Sequence, residues 1–272
     1  MWYALPSDDL APQASTVTAS AEDSGYPAEL LVTRNPAHPA KLTTTSGSWV
    51  LHFPAPIAPV AVALIYPQLD AGVLTRIEGN SSDSWGAPPY SQAIAIPGPH
   101  EDGASVSPIL EVTGAPSYAY WRLVIAGTNS VPVAVGRLML LSHLRTFEEG
   151  TEEEGTSVRW GVTEDEDFGI VESATDLGVE LIYALGNTRR TLTGEMLLRP
   201  TGAAQFLTLR RATFGRVDPW LLWPFEAVND VYLVRWEDRA SLRRIDVPDR
   251  AGGFVQMFRV QVKEVSRGLP WP

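Results

Sequence analysis

The sequence predicts an all-β protein in two parts, with one short helix in the second part. Three observations carry that expectation. Strand-length runs of β-branched and aromatic residues recur along the chain, broken by Pro, Gly, Ser and Asp clusters. No long amphipathic helical stretch occurs before residue 146. A run of acids and glycines without an apolar anchor, residues 147–156, then separates two apolar stretches.

Taken in order, the first part opens with Thr16–Ser20. Trp49-Val50-Leu51-His52-Phe53 comes next and alternates, with Trp49, Leu51 and Phe53 on one face and His52 on the outward one. Val60–Tyr66 is almost continuously apolar, as in a strand buried on both faces. Val73–Gly79 comes after the turn Asp70-Ala71-Gly72. Residues 80–104 read as a loop, dense in Ser, Pro and Gly, with Trp85 and Tyr90 as its bulkiest members. Tyr120–Ile125 and Val133–Leu140 then form a strand pair. Trp121, Leu123 and Ile125 share a wholly apolar face that must lie on a core, with Arg122 opposite. A sandwich is the economical architecture for such a series.

After the acidic segment, Ser157–Val162, Val179–Tyr183 and Thr191–Leu198 read as strands. Gly202–Phe214 has the helical spacing of Ala203, Phe206, Leu207 and Arg210, with Thr201 as its N-cap and Gly215 beyond its end. Pro219–Phe225 is apolar and Pro-flanked, Val231–Trp236 is a strand, and Gly253–Val265 is a long closing strand. The expected division is therefore residues 1–146, an acidic linker over 147–156, and residues 157–272.

Composition narrows the chemistry. The chain has 272 residues, 44% of them hydrophobic and 19% charged, as in a globular protein with ample core. It contains no cysteine, which removes disulfides, thiolate zinc sites and thiol nucleophiles. The net charge of -11 opposes nucleic acid or an anionic membrane as partner. No apolar run is long enough to insert in a membrane. Met1–Asp9 lacks the basic and apolar regions of a secretory signal, so synthesis in a cytoplasm is expected. The four histidines, His38, His52, His100 and His143, show no metal-ligand spacing. No nucleophile elbow or phosphate-binding loop occurs. Neither metal, cofactor nor catalysis is expected. The acids of 147–156 lack the spacing of a Ca²⁺ loop, and Glu164–Asp167 reads as an exposed loop instead of the facing carboxylates of a glycosidase.

Trp85 and Tyr90 are the candidate ligand residues. A sugar ring stacks on an exposed aromatic face, and Asn80, Asp83 and Gln92 lie close in sequence to bond its hydroxyls. The competing reading makes Trp85 a plug at one end of the sandwich. Arg122 reads better as the partner of an acid on a neighbouring strand than as a ligand contact.

The first part resembles the galactose-binding-like, or discoidin-type, jelly roll. Thr16–Ser20, Tyr26-Pro27-Ala28-Glu29-Leu30-Leu31, Gly47-Ser48-Trp49-Val50, Ala63-Leu64-Ile65, Arg76-Ile77-Glu78-Gly79 and Tyr120–Leu140 keep that family's order. Leu30, Thr33 and Ala40-Lys41 stand where many members carry Asn, Asp and a Trp-Arg pair, so no calcium site carries over. The second part resembles, more faintly, the split β-barrels of tail-tip and distal-tail proteins of long-tailed bacteriophages. Trp223-Pro224-Phe225, Val234-Arg235-Trp236 and Val262-Lys263-Glu264-Val265 carry the likeness, although that family more usually places the barrel first. Together the resemblances imply a structural component of a phage tail tip or baseplate, located in the virion. It would form a homo-oligomeric ring among other tail proteins, with the jelly roll turned outward toward the host. The alternative is a non-catalytic carbohydrate-binding module for host surface glycans.

Overall fold

A computed structural model describes residues 2–98, 106–114, 116–146, 158–161, 170–174, 180–184, 191–213, 218–223, 230–236, 245–248 and 254–265. The expected linker at 147–156 and the acids Glu164–Asp167 lie outside them. In chain order the strands of the first half are β1 (Trp2–Ala4), β2 (Thr16–Ala19), β3 (Ala40–Lys41), β4 (Gly47–Ile57), β5 (Ala61–Gln68) and β6 (Thr75–Asn80). Next come β7 (Tyr90–Ile94), β8 (Ile109–Glu111), β9 (Tyr118–Ile125), β10 (Ala134–Leu141) and β11 (Arg145–Thr146). The second half adds β12 (Val158–Gly161), β13 (Ile170–Ala174), β14 (Glu180–Ala184) and β15 (Thr191–Leu198). Helix α1 (Pro200–Ala212), β16 (Trp220–Trp223), β17 (Tyr232–Trp236), β18 (Ile245–Pro248) and β19 (Phe254–Glu264) complete the set. Among the described residues the protein is all-β with one short α-helix, as the periodicity predicts.

The elements stack in four layers. A five-stranded sheet, β2-β4-β9-β6-β7, faces a four-stranded sheet, β3-β10-β5-β8. Between them lies the first core, built from the inward residues Trp49, Leu51, Phe53, Ile77, Trp121 and Leu123, with Val62, Leu64, Leu138 and Leu140 opposite. The other face of the four-stranded sheet is not solvated. Ala61, Ala63, Ile65, Met139 and Leu141 pack on Ala4, Leu221, Trp223 and Leu233 of an eight-stranded sheet. This explains why β10 is buried along its whole length and β5 nearly so. The apolar run Val60–Tyr66 has the two buried faces its sequence predicts.

The eight-stranded sheet runs β11-β1-β16-β17-β19-β15-β12, with β18 also on β19. Its far face carries Tyr3, Trp220, Leu222, Val234 and Trp236, and helix α1 covers it with Ala203, Phe206 and Leu209. The N-terminal strand is thus part of the same sheet as residues 220–264. Trp2–Ala4 pairs with Leu221–Trp223 on one side and Tyr3-Trp2 with Arg145-Thr146 on the other.

Three local expectations are corrected. The loop expected over 80–104 contains β7, because Tyr90, Gln92 and Ile94 alternate and complete a ladder with β6. Helix α1 begins at Pro200, with Arg199 and not Thr201 as N-cap. Proline at the first helical position has its φ preset and no N–H to satisfy, which places the start two residues earlier. Leu207 is exposed and Leu209 takes the core position, giving a buried stripe at 203, 206 and 209. At the helix end Thr213 Oγ1 donates to the Leu209 carbonyl (3.0 Å) and accepts the Trp236 indole N–H (2.9 Å), tying helix to sheet. Gly215 lies outside the described residues.

Candidate functional site

The outward face of the five-stranded sheet carries the groups the sequence singled out. On β9 the alternation that buries Trp121 turns Tyr120 and Arg122 outward; on β6 it turns Glu78 and Asn80 outward. Arg122 and Glu78 stand directly opposite in the ladder. Arg122 Nε and Nη2 both donate to Glu78 Oε2, at 2.9 and 2.5 Å, and Ser91 Oγ reaches Glu78 Oε1 at 3.5 Å. The sequence reading of Arg122 as paired to a neighbouring strand's acid matches this geometry. These side chains are 19% and 7% exposed, so the pair is shielded from solvent more than an ordinary surface bridge.

Trp85 closes over this pair. Its ring centroid lies 4.4 Å from the Arg122 guanidinium carbon, a cation–π contact of about 0.5–1 kcal/mol. The Trp85 indole N–H donates to Asp83 Oδ1 at 2.5 Å. Asn80 holds both ends of the same turn: its amide donates to the Ser84 carbonyl, and its Oδ1 accepts the Ser81 N–H at 2.8 Å. A loop that lacks a core of its own is therefore fixed by two side-chain acceptors and one cation. Trp85 is partly exposed, not a buried plug.

Three of the five sequence-predicted residues, Asn80, Asp83 and Trp85, meet here, while Gln92 lies apart and its side-chain amide donates to the Glu111 carbonyl at 2.9 Å. Tyr90 is placed elsewhere. Ser91 is the outward neighbour of Glu78, so Tyr90 points inward, with its ring edge-on to Trp121 at 5.6 Å. Its hydroxyl donates to Gln92 Oε1, which also accepts the Thr113 N–H at 3.1 Å. Burial pushes the Tyr90 phenol above its ordinary pKa. Beside the Trp85 cluster, two residues the sequence reading left unassigned, Tyr120 and His52, stack with centroids 4.5 Å apart. Their signal was available: position 120 faces the same side as Arg122, and His52 the same side as Val50.

Two cavities lie away from this face. One, of about 350 Å³, is lined by Asp70, Asn129, Ser130, Ile96 and Val131. Its polar groups serve each other. Asp70 accepts the Ser130 N–H and Oγ–H (2.6 and 2.8 Å), while Asn129 donates to the Gln68 and Val131 carbonyls (3.0 and 2.9 Å). The other, of about 300 Å³, lies between Trp2, Glu111 and His143. Among the described residues no group of three or more His, Asp or Glu side chains is arranged to hold a metal ion, and no helix is long and apolar enough to cross a membrane.

No protein-family model matches the chain. No curated protein matches its sequence either. Among solved structures it is similar to a fucose-binding module of Streptococcus pneumoniae, at 10% identity and TM-score 0.39, over 50% of this chain and 98% of that one. It is also similar to the lectin-binding domain of lectinolysin complexed with Lewis b, at 12% identity and TM-score 0.40, over 52% and 99%. A third is the family 32 carbohydrate-binding module of C. perfringens NanJ in complex with galactose, at 10% identity and TM-score 0.38, over 53% and 100%. The sugars in those names are ligands of those proteins. None of the three is a phage tail protein, and the tail-tip resemblance gains no support from them.

Proposed function

We propose that this protein binds carbohydrate without transforming it, through the outer face of its five-stranded sheet. The observation that carries this reading is the Trp85 cluster: a partly exposed aromatic ring held by Arg122 and Asp83, with Asn80 and Glu78 beside it. An aromatic surface flanked by fixed acceptors and an amide suits a sugar, which presents C–H faces and hydroxyl rims together. The reading is non-catalytic because Glu78 is engaged by Arg122 and Asp83 by the indole.

Of the residues that carry the tail-tip resemblance, Trp223, Val234, Trp236, Val262 and Glu264 are buried in the eight-stranded sheet and its cores, Arg235 is exposed, and Lys263 and Val265 are half-buried. Pro224 and Phe225 lie outside the described residues.

The test uses the full chain on an array of polysaccharides and surface glycans, with Trp85→Ala beside it. The expected result is binding by the parent, weakened roughly fivefold by loss of one stacked ring, with unchanged thermal unfolding. Failure of the parent to bind any glycan would overturn the proposal.

A further inference from the structure

Register arranges the outer sheet face in rows. His52, Tyr120 and Asn80 stand opposite one another, and Val50, Arg122, Glu78 and Ser91 form the adjacent row. Tyr120 and Arg122 are two residues apart on one face of β9, a step of about 7 Å. Trp85 lies over Arg122, and His52 stacks on Tyr120 with planes 18° apart. The three aromatic groups therefore occupy neighbouring rows of one face, from the loop after β6, by way of Arg122 and Tyr120 on β9, to β4. At the sheet's lateral margins the side chains are short. Thr16 and Thr18 of β2 neighbour His52 and Val50, Ser91 and Ala93 of β7 neighbour Glu78 and Arg76, and all four are exposed.

Charge along the path is compensated. The Arg122 cation is matched by Glu78, and Asp83 adds a carboxylate beside Trp85. Arg76, exposed on the same face, lies one step of about 7 Å along β6 beyond Glu78, on the side away from Tyr120, so the groups along the path itself are balanced or acidic. A sugar hydroxyl meets acceptors.

Resting on the glycan reading above, we propose that this face takes the interior of an uncharged polysaccharide chain and not a single terminal sugar. A path of three rings is longer than one sugar and contacts successive units. The short side chains at both margins let the chain continue past the protein instead of ending in a pocket. Trp85 anchors one unit, and Tyr120 with His52 sets the next.

Calorimetric titration of the full chain separates this inference from the general reading. The probes are neutral gluco-, manno- and galacto-configured oligosaccharides of increasing length, with oligogalacturonates of matching length. Affinity for one neutral series should rise roughly tenfold or more from monomer to tetramer, as further rings are engaged. Tyr120→Ala should remove that gain and leave the shortest ligands unaffected. Thr16→Arg, at an exposed position outside the core, should weaken only the longer ligands. Affinity that depends on Trp85 but not on length, or a preference for galacturonates, would overturn the chain-interior inference and leave carbohydrate binding standing. No binding of any oligosaccharide or polysaccharide would remove both.

Discussion

Side-chain parity decides the candidate site. Trp85 and Tyr90 are five positions apart and equally aromatic, yet one lies over Arg122 on the outside and the other edges onto Trp121 inside. The difference comes from the ladder: Gly79 opposes Tyr90 and Glu78 opposes Ser91, so the two faces alternate in step. Gly79 itself is a packing requirement. A Cβ there would sit 2.5 Å from Tyr118 Cδ2 and 3.1 Å from Cε2, and the Tyr118 ring rests against Trp121, 6.1 Å between centroids. Gly79→Ala is expected to lower stability by about 1–3 kcal/mol, as overpacking does, read from the denaturant midpoint. An unshifted midpoint would mean that Tyr118 moves freely. Asn80, Asp83 and Trp85 were legible as a cluster because they are neighbours in sequence. Tyr120 and His52 were not, because their meeting depends on the pairing of β9 with β4. Tyr90 was misjudged because a short strand bounded by Pro and Gly reads as loop until its partner is known.

Among the elements, the N-terminal segment is the least legible, yet it is paired on both sides. Three residues of strand have no periodicity to read, so nothing in Trp2–Ala4 announces its place between β11 and β16. Two consecutive acids, Asp8 and Asp9, fasten the chain just beyond this strand. Asp8 accepts Arg145 Nε and Nη2 at 2.9 and 2.7 Å. Asp9 is fully buried and accepts Arg137 Nη2 at 2.6 Å and the N–H groups of Ala11 and Leu140 at 3.0 and 3.1 Å. Asp9→Ala leaves the buried Arg137 cation without its counter-charge, which is expected to cost about 3–5 kcal/mol. Chemical denaturation checks this; a change under about 1 kcal/mol would mean that Arg137 finds water or another acceptor. The long alternating elements, by contrast, were readable. β4 and β9 fall where the apolar period changes to two, because each has a core on one face and a more open face opposite.

For the whole molecule, the governing fact is that the middle sheet is covered on both sides. Ala61, Ala63, Ile65, Met139 and Leu141 look like ordinary sandwich residues in sequence, yet they form one wall of a second core with Leu221, Trp223 and Leu233. Tyr66 adds a polar link, its hydroxyl lying 2.8 Å from the Val265 carbonyl and 3.1 Å from Glu264 Oε1. A fragment ending at residue 146 would expose that wall and lose β16, one of the two partners of β1. It is expected to aggregate or to bind a hydrophobic dye strongly, and the full chain to do neither. A soluble, dye-silent fragment would show that the second core adds little. Two-sided burial of Val60–Tyr66 was readable from its unbroken apolar run; what covers the second side was not, since β16 and β17 lie more than 150 positions away and β1 is too short to show a period.

The position of β1 also has a consequence for how the protein is made. Trp2–Ala4 is synthesised ahead of its neighbour Leu221–Trp223, which follows more than 200 residues later. At about 5–20 residues per second, the opening strand waits roughly 10–45 s for its partner. During that interval the apolar wall of Ala61, Ile65, Met139 and Leu141 is complete yet uncovered. The nascent chain is therefore most vulnerable to misassociation in mid-synthesis, and a chaperone that shields apolar surface would act on this protein at that stage.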